Sequence, residues 1–149
     1  MYTVCKINGG GTAGKRLHIT GWRKTVYAVR KHAFCGAVSA GYACGAAITY
    51  MLGGNFNQIA NTIINTLANT SGIICDGAKP SCAAKISSAL DAALLAHTMS
   101  MHDDVFHADE GIVKDDLEKT IRAVGYIGRE GMKSTDIEVL NIMIDKVCP

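Results

Sequence analysis

Apolar and polar positions along the chain follow helical rather than strand periodicity. Ile59, Ile63, Ile64 and Leu67 recur at three- and four-residue steps within NFNQIANTIINTLANTSG, predicting an amphipathic helix with Asn55 as its N-cap. Asn57, Asn61 and Asn65 repeat along another face of that helix. Uncharged amides suit a buried or ligand-facing surface, since a solvated face carries Lys and Glu. Upstream, Ala33–Leu52 is a run of small residues closed by Gly53-Gly54, read as a central helix that neighbours can approach closely. Cys82–Met101 is the clearest helix, with Ile86, Leu90, Leu94 and Leu95 on one face. Val113–Val124 predicts another, opened by Lys114-Asp115-Asp116 and broken by Gly125, Gly128 and Gly131. Ser134-Thr135-Asp136 caps a last helix that runs to Val147. Gly72–Ser81 is a loop, because Gly77 and Pro80 interrupt a helix, and MHDDVFHADEG is a polar connection. In residues 1–32, Tyr2, Val4 and Ile7 suit a short strand ended by Gly9–Gly11, and the rest is aperiodic. The expected architecture is all-α: a compact helical domain over 33–149 with a small-residue central helix, preceded by a basic arm over 1–32.

Composition agrees with this pattern. The 149 residues are 48% hydrophobic, 19% charged and 6% aromatic, which disfavours both a disordered tail and a β-sandwich. The net charge of +2 hides an asymmetry. Seven basic and no acidic residues precede Asp76, and eight basic and thirteen acidic residues lie from there on. Between Lys31 and Asp76, 44 residues carry no formal charge apart from any protonation of His32. Ala33–Gly54 is long enough to span a bilayer, but it is built from Gly, Ala, Ser and Cys, so a helix buried inside a soluble protein is the expectation. The opening segment has no apolar signal-peptide core. Six cysteines without such a signal point to reduced thiols and a cytoplasmic location.

Three motifs compete for chemistry. Gly9–Lys15 fits the first seven positions of a phosphate-binding loop, but Arg16 stands where a Mg²⁺-binding hydroxyl belongs. Ile73–Asp76 imitates the acidic strand of such a fold, yet the alternating strands are missing, so a glycine-rich basic loop is the reading. His97, His102 and His107 recur every five residues beside Asp103, Asp104 and Asp109. That spacing does not hold one helix face, and a solvated connection is preferred to a metal site. The third motif is Cys75-Asp76-Gly77-Ala78-Lys79-Pro80-Ser81-Cys82, with Cys35 forty residues upstream. The spacing is not that of a common zinc knuckle. Three thiolates from a helix end and a loop suit an iron–sulfur cluster, or else they are buried small hydrophobes. Cys44 is expected in the core, Cys5 and Cys148 free near the ends, and Met99, Met101, Met132 and Met143 as core filler. The basic arm lacks the aromatic interleaving of a nucleic-acid binder, so neither nucleic acid nor membrane is an expected partner.

The run Asn69–Lys85 (NTSGIICDGAKPSCAAK) resembles the signature of the L-serine dehydratase α-chain-like family, in the branch that contains L-cysteine desulfidase. Phe34-Cys35-Gly36, Ala47–Gly54 and Asp116–Met143 resemble further parts of that family, so the likeness covers about Ala33–Lys146. The resemblance implies an all-helical region carrying an oxygen-sensitive 4Fe–4S cluster. It implies β-elimination from a small amino acid without pyridoxal phosphate, giving pyruvate, ammonia and either water or sulfide. It places Cys35, Cys75 and Cys82 on the cluster cysteines. Asp76 and Lys79 share the ligand loop and take a supporting or substrate-carboxylate role, or form a loop salt bridge. Asn69, Thr70 and Ser71 bind the substrate carboxylate or cap a helix end. The chain is expected to correspond only to the C-terminal part of longer family members, and residues 1–32 do not resemble what normally precedes Cys35. The general base therefore falls to a missing N-terminal region or a partner chain, with homo-oligomerisation also expected. A non-catalytic helical subunit, or a truncated remnant pairing with itself or a partner, is the alternative.

Overall fold

The computed structural model describes residues 35–146. Within them lie five α-helices: α1 (Gly36–Met51), α2 (Phe56–Thr70), α3 (Pro80–Met101), α4 (Leu117–Tyr126) and α5 (Lys133–Met143). A π-helical turn, Ile127–Gly131, follows α4, and no strand occurs among the described residues. The all-α expectation is met. The phosphate-loop candidate, Cys5, His18, His32, Cys148 and the arm lie outside the described residues. No described helix is long and apolar enough to cross a membrane.

The core is a mutual packing of α1, α2 and α3. Helix α1 buries Ala37, Val38, Gly41, Tyr42, Gly45, Ala46 and Thr49. A methyl group at Gly41 would come within 2.7 Å of the Ala89 carbonyl oxygen, and one at Gly45 within 3.0 Å of Thr62 Cγ2. The backbones of α1 and α3 therefore meet almost directly, as the small-residue run predicts. Left-handed Gly53 closes α1, and the Gly54 N–H donates to the Thr49 carbonyl at 2.8 Å. Cys44, expected in the core, is exposed, because α1 turns that residue away from both neighbours.

Helix α2 opens with a reciprocal capping box. Gln58 N–H donates to Asn55 Oδ1 and Asn55 N–H to Gln58 Oε1, both at 2.9 Å. Its buried threonines satisfy their hydroxyls locally. Thr62, Thr66 and Thr70 donate to the carbonyls of Gln58, Thr62 and Thr66 at 2.8, 2.6 and 2.8 Å. The amide row divides: Asn57 is exposed, Asn61 is half-buried and Asn65 is buried. Asn65 donates to the Asp104 carbonyl and accepts from the Phe106 N–H, both at 3.0 Å, which pins the connection after α3.

Helix α3 departs from its expected orientation. It buries Ala89, Ala92, Ala93, Ala96 and Ser100. Ile86, Leu90, Leu94 and Leu95 are exposed instead, at 47%, 37%, 44% and 55%. The close approach of α1 leaves room only for alanine-sized side chains on the inner face. Helix α4 begins at Leu117 rather than Val113. Asp116 caps it by accepting the Lys119 N–H at 2.7 Å, while Val113 is buried in the preceding segment. Gly125 does not break α4, and Gly128 and Gly131 lie in the π turn that extends it. Helix α5 starts at Lys133 without a side-chain cap and buries no residue. Met101 and Met143 are partly exposed at 37% and 44%, whereas Met132 packs against the core.

Candidate functional site

The loop between α2 and α3 returns to the start of α1 and brings three cysteines together. Cys35 is the N-cap residue of α1 and only 2% exposed. Its N–H donates to the Ile73 carbonyl at 3.0 Å, while the Ile73 N–H donates to Thr70 at 3.2 Å. Cys82 lies in the first turn of α3, after Pro80 at the helix start, where the missing N–H of proline costs nothing. The Cys35 and Cys82 sulfurs are 3.8 Å apart. Cys75 and Cys82 both pack against the buried cluster of Cys35, Ala37 and Ala89. Gly77, at φ +87°, supplies the left-handed turn that carries the chain from Cys75 back to α3.

Lys85 fastens this loop. It sits one turn beyond Cys82 on α3 and donates to the Ile74 carbonyl at 3.1 Å and to the Asp76 carboxylate. Ser81 Oγ approaches the other Asp76 oxygen at 3.5 Å. The hydrogen bond from Lys85 holds the Asp76 carboxyl below its usual range, and Asp76 raises the Lys85 ammonium in return. Cys35 and Cys75 lie close enough to add to the upward shift of the Lys85 ammonium. Burial pushes the Cys35 thiol up, as does neighbouring Cys82, while the Ala37 N–H and Lys85 act the other way.

The sequence-based candidates are thus distributed unevenly. Cys35, Cys75, Cys82 and Asp76 gather in one place. The salt-bridge alternative for Asp76 is realised with Lys85 instead of Lys79. Lys79 is exposed at the N-cap of α3, with its N–H on the Gly77 carbonyl at 3.0 Å. At the end of α2, Asn69 is exposed, Ser71 is the C-cap, and the Thr70 hydroxyl is engaged by the Thr66 carbonyl. Lys85 escaped the sequence reading. Its three-residue spacing from Cys82 puts both on one helix face, but its contact with Asp76 depends on the turn at Gly77.

Among the described residues, no three His, Cys, Asp or Glu side chains stand in an arrangement that holds a single metal ion. A polynuclear cluster makes a different demand, because its thiolates bind separate irons. Three thiols without histidine, two at helix N-termini and one beside an ammonium, fit an anionic iron–sulfur group in donor type and field. Of the histidines, His97 Nδ1 lies 2.9 Å from Thr49 Oγ1 between α1 and α3, and His102 and His107 are exposed.

Comparison with known proteins adds the following. The serine dehydratase alpha chain family matches residues 18–141, so the likeness begins upstream of Ala33 and takes in part of the basic arm that was expected to lie outside it. A UPF0597 protein of Treponema denticola is 56% identical over 115 residues, covering 77% of this chain and 27% of the relative. Those of Finegoldia magna and Lachnoclostridium phytofermentans are 53% and 55% identical, each covering 78% of this chain and 28% of the relative. The chain therefore spans little more than a quarter of the length of these relatives. No solved structure matches it.

Proposed function

The chain belongs to the serine dehydratase alpha chain family, and from that premise we propose that it is the cluster-bearing part of a lyase that eliminates the β-substituent of L-serine or L-cysteine. Pyruvate and ammonia are the products, with water or sulfide as the leaving group. The observation that carries this reading is the convergence of Cys35, Cys75 and Cys82 on one packed cluster. These three cysteines would hold a 4Fe–4S group in a cytoplasmic protein. When bound, that group supplies a Lewis-acidic iron open to the hydroxyl or thiol that leaves. This chain's own residues hold the site in shape. Lys85 and Asp76 fix the loop, the Lys85 ammonium supplies positive charge near the thiols, and the Cys35–Ile73 hydrogen bond ties α1 to it. Asn69, Ser71 and Lys79, on the segments that flank the cysteine loop, would meet the substrate carboxylate. The proton acceptor at the substrate α-carbon comes from a partner chain, or from the region of the relatives that this chain does not span.

Anaerobic incubation with iron and sulfide tests the first step. The chain is expected to take up iron with the broad visible absorption of an iron–sulfur protein, and Cys75→Ala to lower iron per chain severalfold. Iron uptake unaffected by that substitution sinks the assignment. The short coverage of the relatives favours one second reading, a helical subunit without catalysis of its own. Sulfide release from L-cysteine, measured with the chain alone and with the rest of the Treponema protein added, separates the two.

A further inference from the structure

Helix α3 carries apolar side chains on both faces, with Ser87, Ser88 and Thr98 exposed among them. Its inner face is alanine, packed on α1 and α2. Its outer face carries Ile86, Leu90, Leu94 and Leu95. Between Lys85 and His102 the only charged side chain is Asp91. A helix on a solvated surface carries charges along its outer face, whereas one that is apolar all round is enclosed. From Ile86 to Leu95 the stripe runs along about 15 Å of the helix, nearly half its length.

We propose that the outer face of α3 is a docking surface for a polypeptide equivalent to the part of the UPF0597 relatives that this chain does not span. Three observations select that occupant. The matched segment makes up only 27–28% of those relatives, so each carries further polypeptide able to cover the stripe. A second copy of this chain fits less well. The stripe from Ile86 to Leu95 is centred beside Asp91, and antiparallel pairing of two such helices would set carboxylate against carboxylate. Finally, Ile86 is one turn from Cys82 and adjacent to Lys85, so whatever covers the stripe also approaches the cysteine loop. The complementary partner face is aliphatic or aromatic, with a lysine or arginine opposite Asp91. The docking rests on family membership alone and not on the iron chemistry, so either can fail without the other.

The test is co-production of the tagged full chain with the unmatched part of the Treponema denticola relative. Equimolar co-purification is expected for the natural chain, with a loss of tenfold or more for the double variant Leu90→Glu/Leu94→Glu. Arg129→Ala, on the distant π turn, should keep the partner. In the isolated chain the double variant should melt at the same temperature as the parent. The proposal is overturned if the natural chain captures no partner or if the double variant captures it equally. It is also overturned if the double variant lowers the melting temperature of the isolated chain, which would mean that the chain's own residues cover the stripe. A natural-chain dimer that the double variant splits would assign the surface to a second copy and overturn it too.

Discussion

Lys85 shows how much a single side chain organises here. Its ammonium bridges the Ile74 carbonyl and the Asp76 carboxylate, closing the loop that presents Cys75. Lys85→Met should leave α3 intact, yet reduce iron retained per chain by several-fold and speed proteolysis between Ile73 and Lys79. Lys85→Arg should keep most of both, since a guanidinium can still donate to carbonyl and carboxylate. The cysteines were legible from residue type and spacing. Lys85 was not, because its role depends on the turn at Gly77, which brings residue 76 against residue 85 instead of nearby Lys79. A second residue-scale prediction concerns Glu130, paired with Lys133 at 2.6 Å and Arg129 at 2.9 Å. Lys133, then Arg129, hold its carboxyl below the usual glutamate range. A depressed folded value means stability present above the unfolded value and lost as pH falls through the folded one. Glu130→Gln should therefore melt slightly earlier than the parent near neutrality. The gap should close as the solution is acidified past the ordinary carboxylate range, with the two melting curves compared at each pH.

At the scale of elements, contact between α1 and α3 decides the architecture. Gly41→Ala forces a methyl group to 2.7 Å from the backbone oxygen of Ala89, where no flexible side chain can yield. The cost should be about 1–3 kcal/mol, as for other overpacked sites. Gly36→Ala meets nothing within 4 Å and should be neutral or slightly stabilising. Chemical denaturation of the two variants distinguishes a close backbone contact from a general aversion to alanine. The same contact explains why only half of α3 was legible. Periodicity finds apolar faces, but it does not say which of two faces points inward. Hydrophobicity favours the leucine side, and steric fit against a glycine-bearing helix favours alanine. The Asn55 cap, the small-residue helix and the loop at Gly72–Ser81 were readable because each depends on local chemistry. The starts of α4 and α5 were not, since Val113 is buried by tertiary packing without being helical and α5 has no side-chain cap.

Among the described residues, burial is concentrated in the first three helices. The 44-residue span without formal charge becomes α1, α2 and the approach to Cys75, and with α3 these helices hold nearly all the buried side chains. Helix α4 joins that core through Thr120 and Val124, and the Thr120 hydroxyl accepts the Lys114 N–H at 3.0 Å. Helix α5 buries nothing; it packs against the π turn, and its Met143 side chain reaches the turn at Gly77. Local opening free energies follow buried contacts, so stability must fall from α1–α3 through α4 to α5. Amide hydrogen exchange should resolve three tiers, slowest at Val38, Tyr42, Leu67 and Ala93, intermediate at Val124, and fast throughout Ile137–Met143. Equal protection of α5 and α3 would contradict this ordering. With the docking partner added, protection should rise along Ile86–Leu95 relative to the isolated chain, while the already slow inner positions of α1 stay unchanged. Such a pattern would place the cysteine loop beside both a rigid three-helix core and the docking surface proposed on α3.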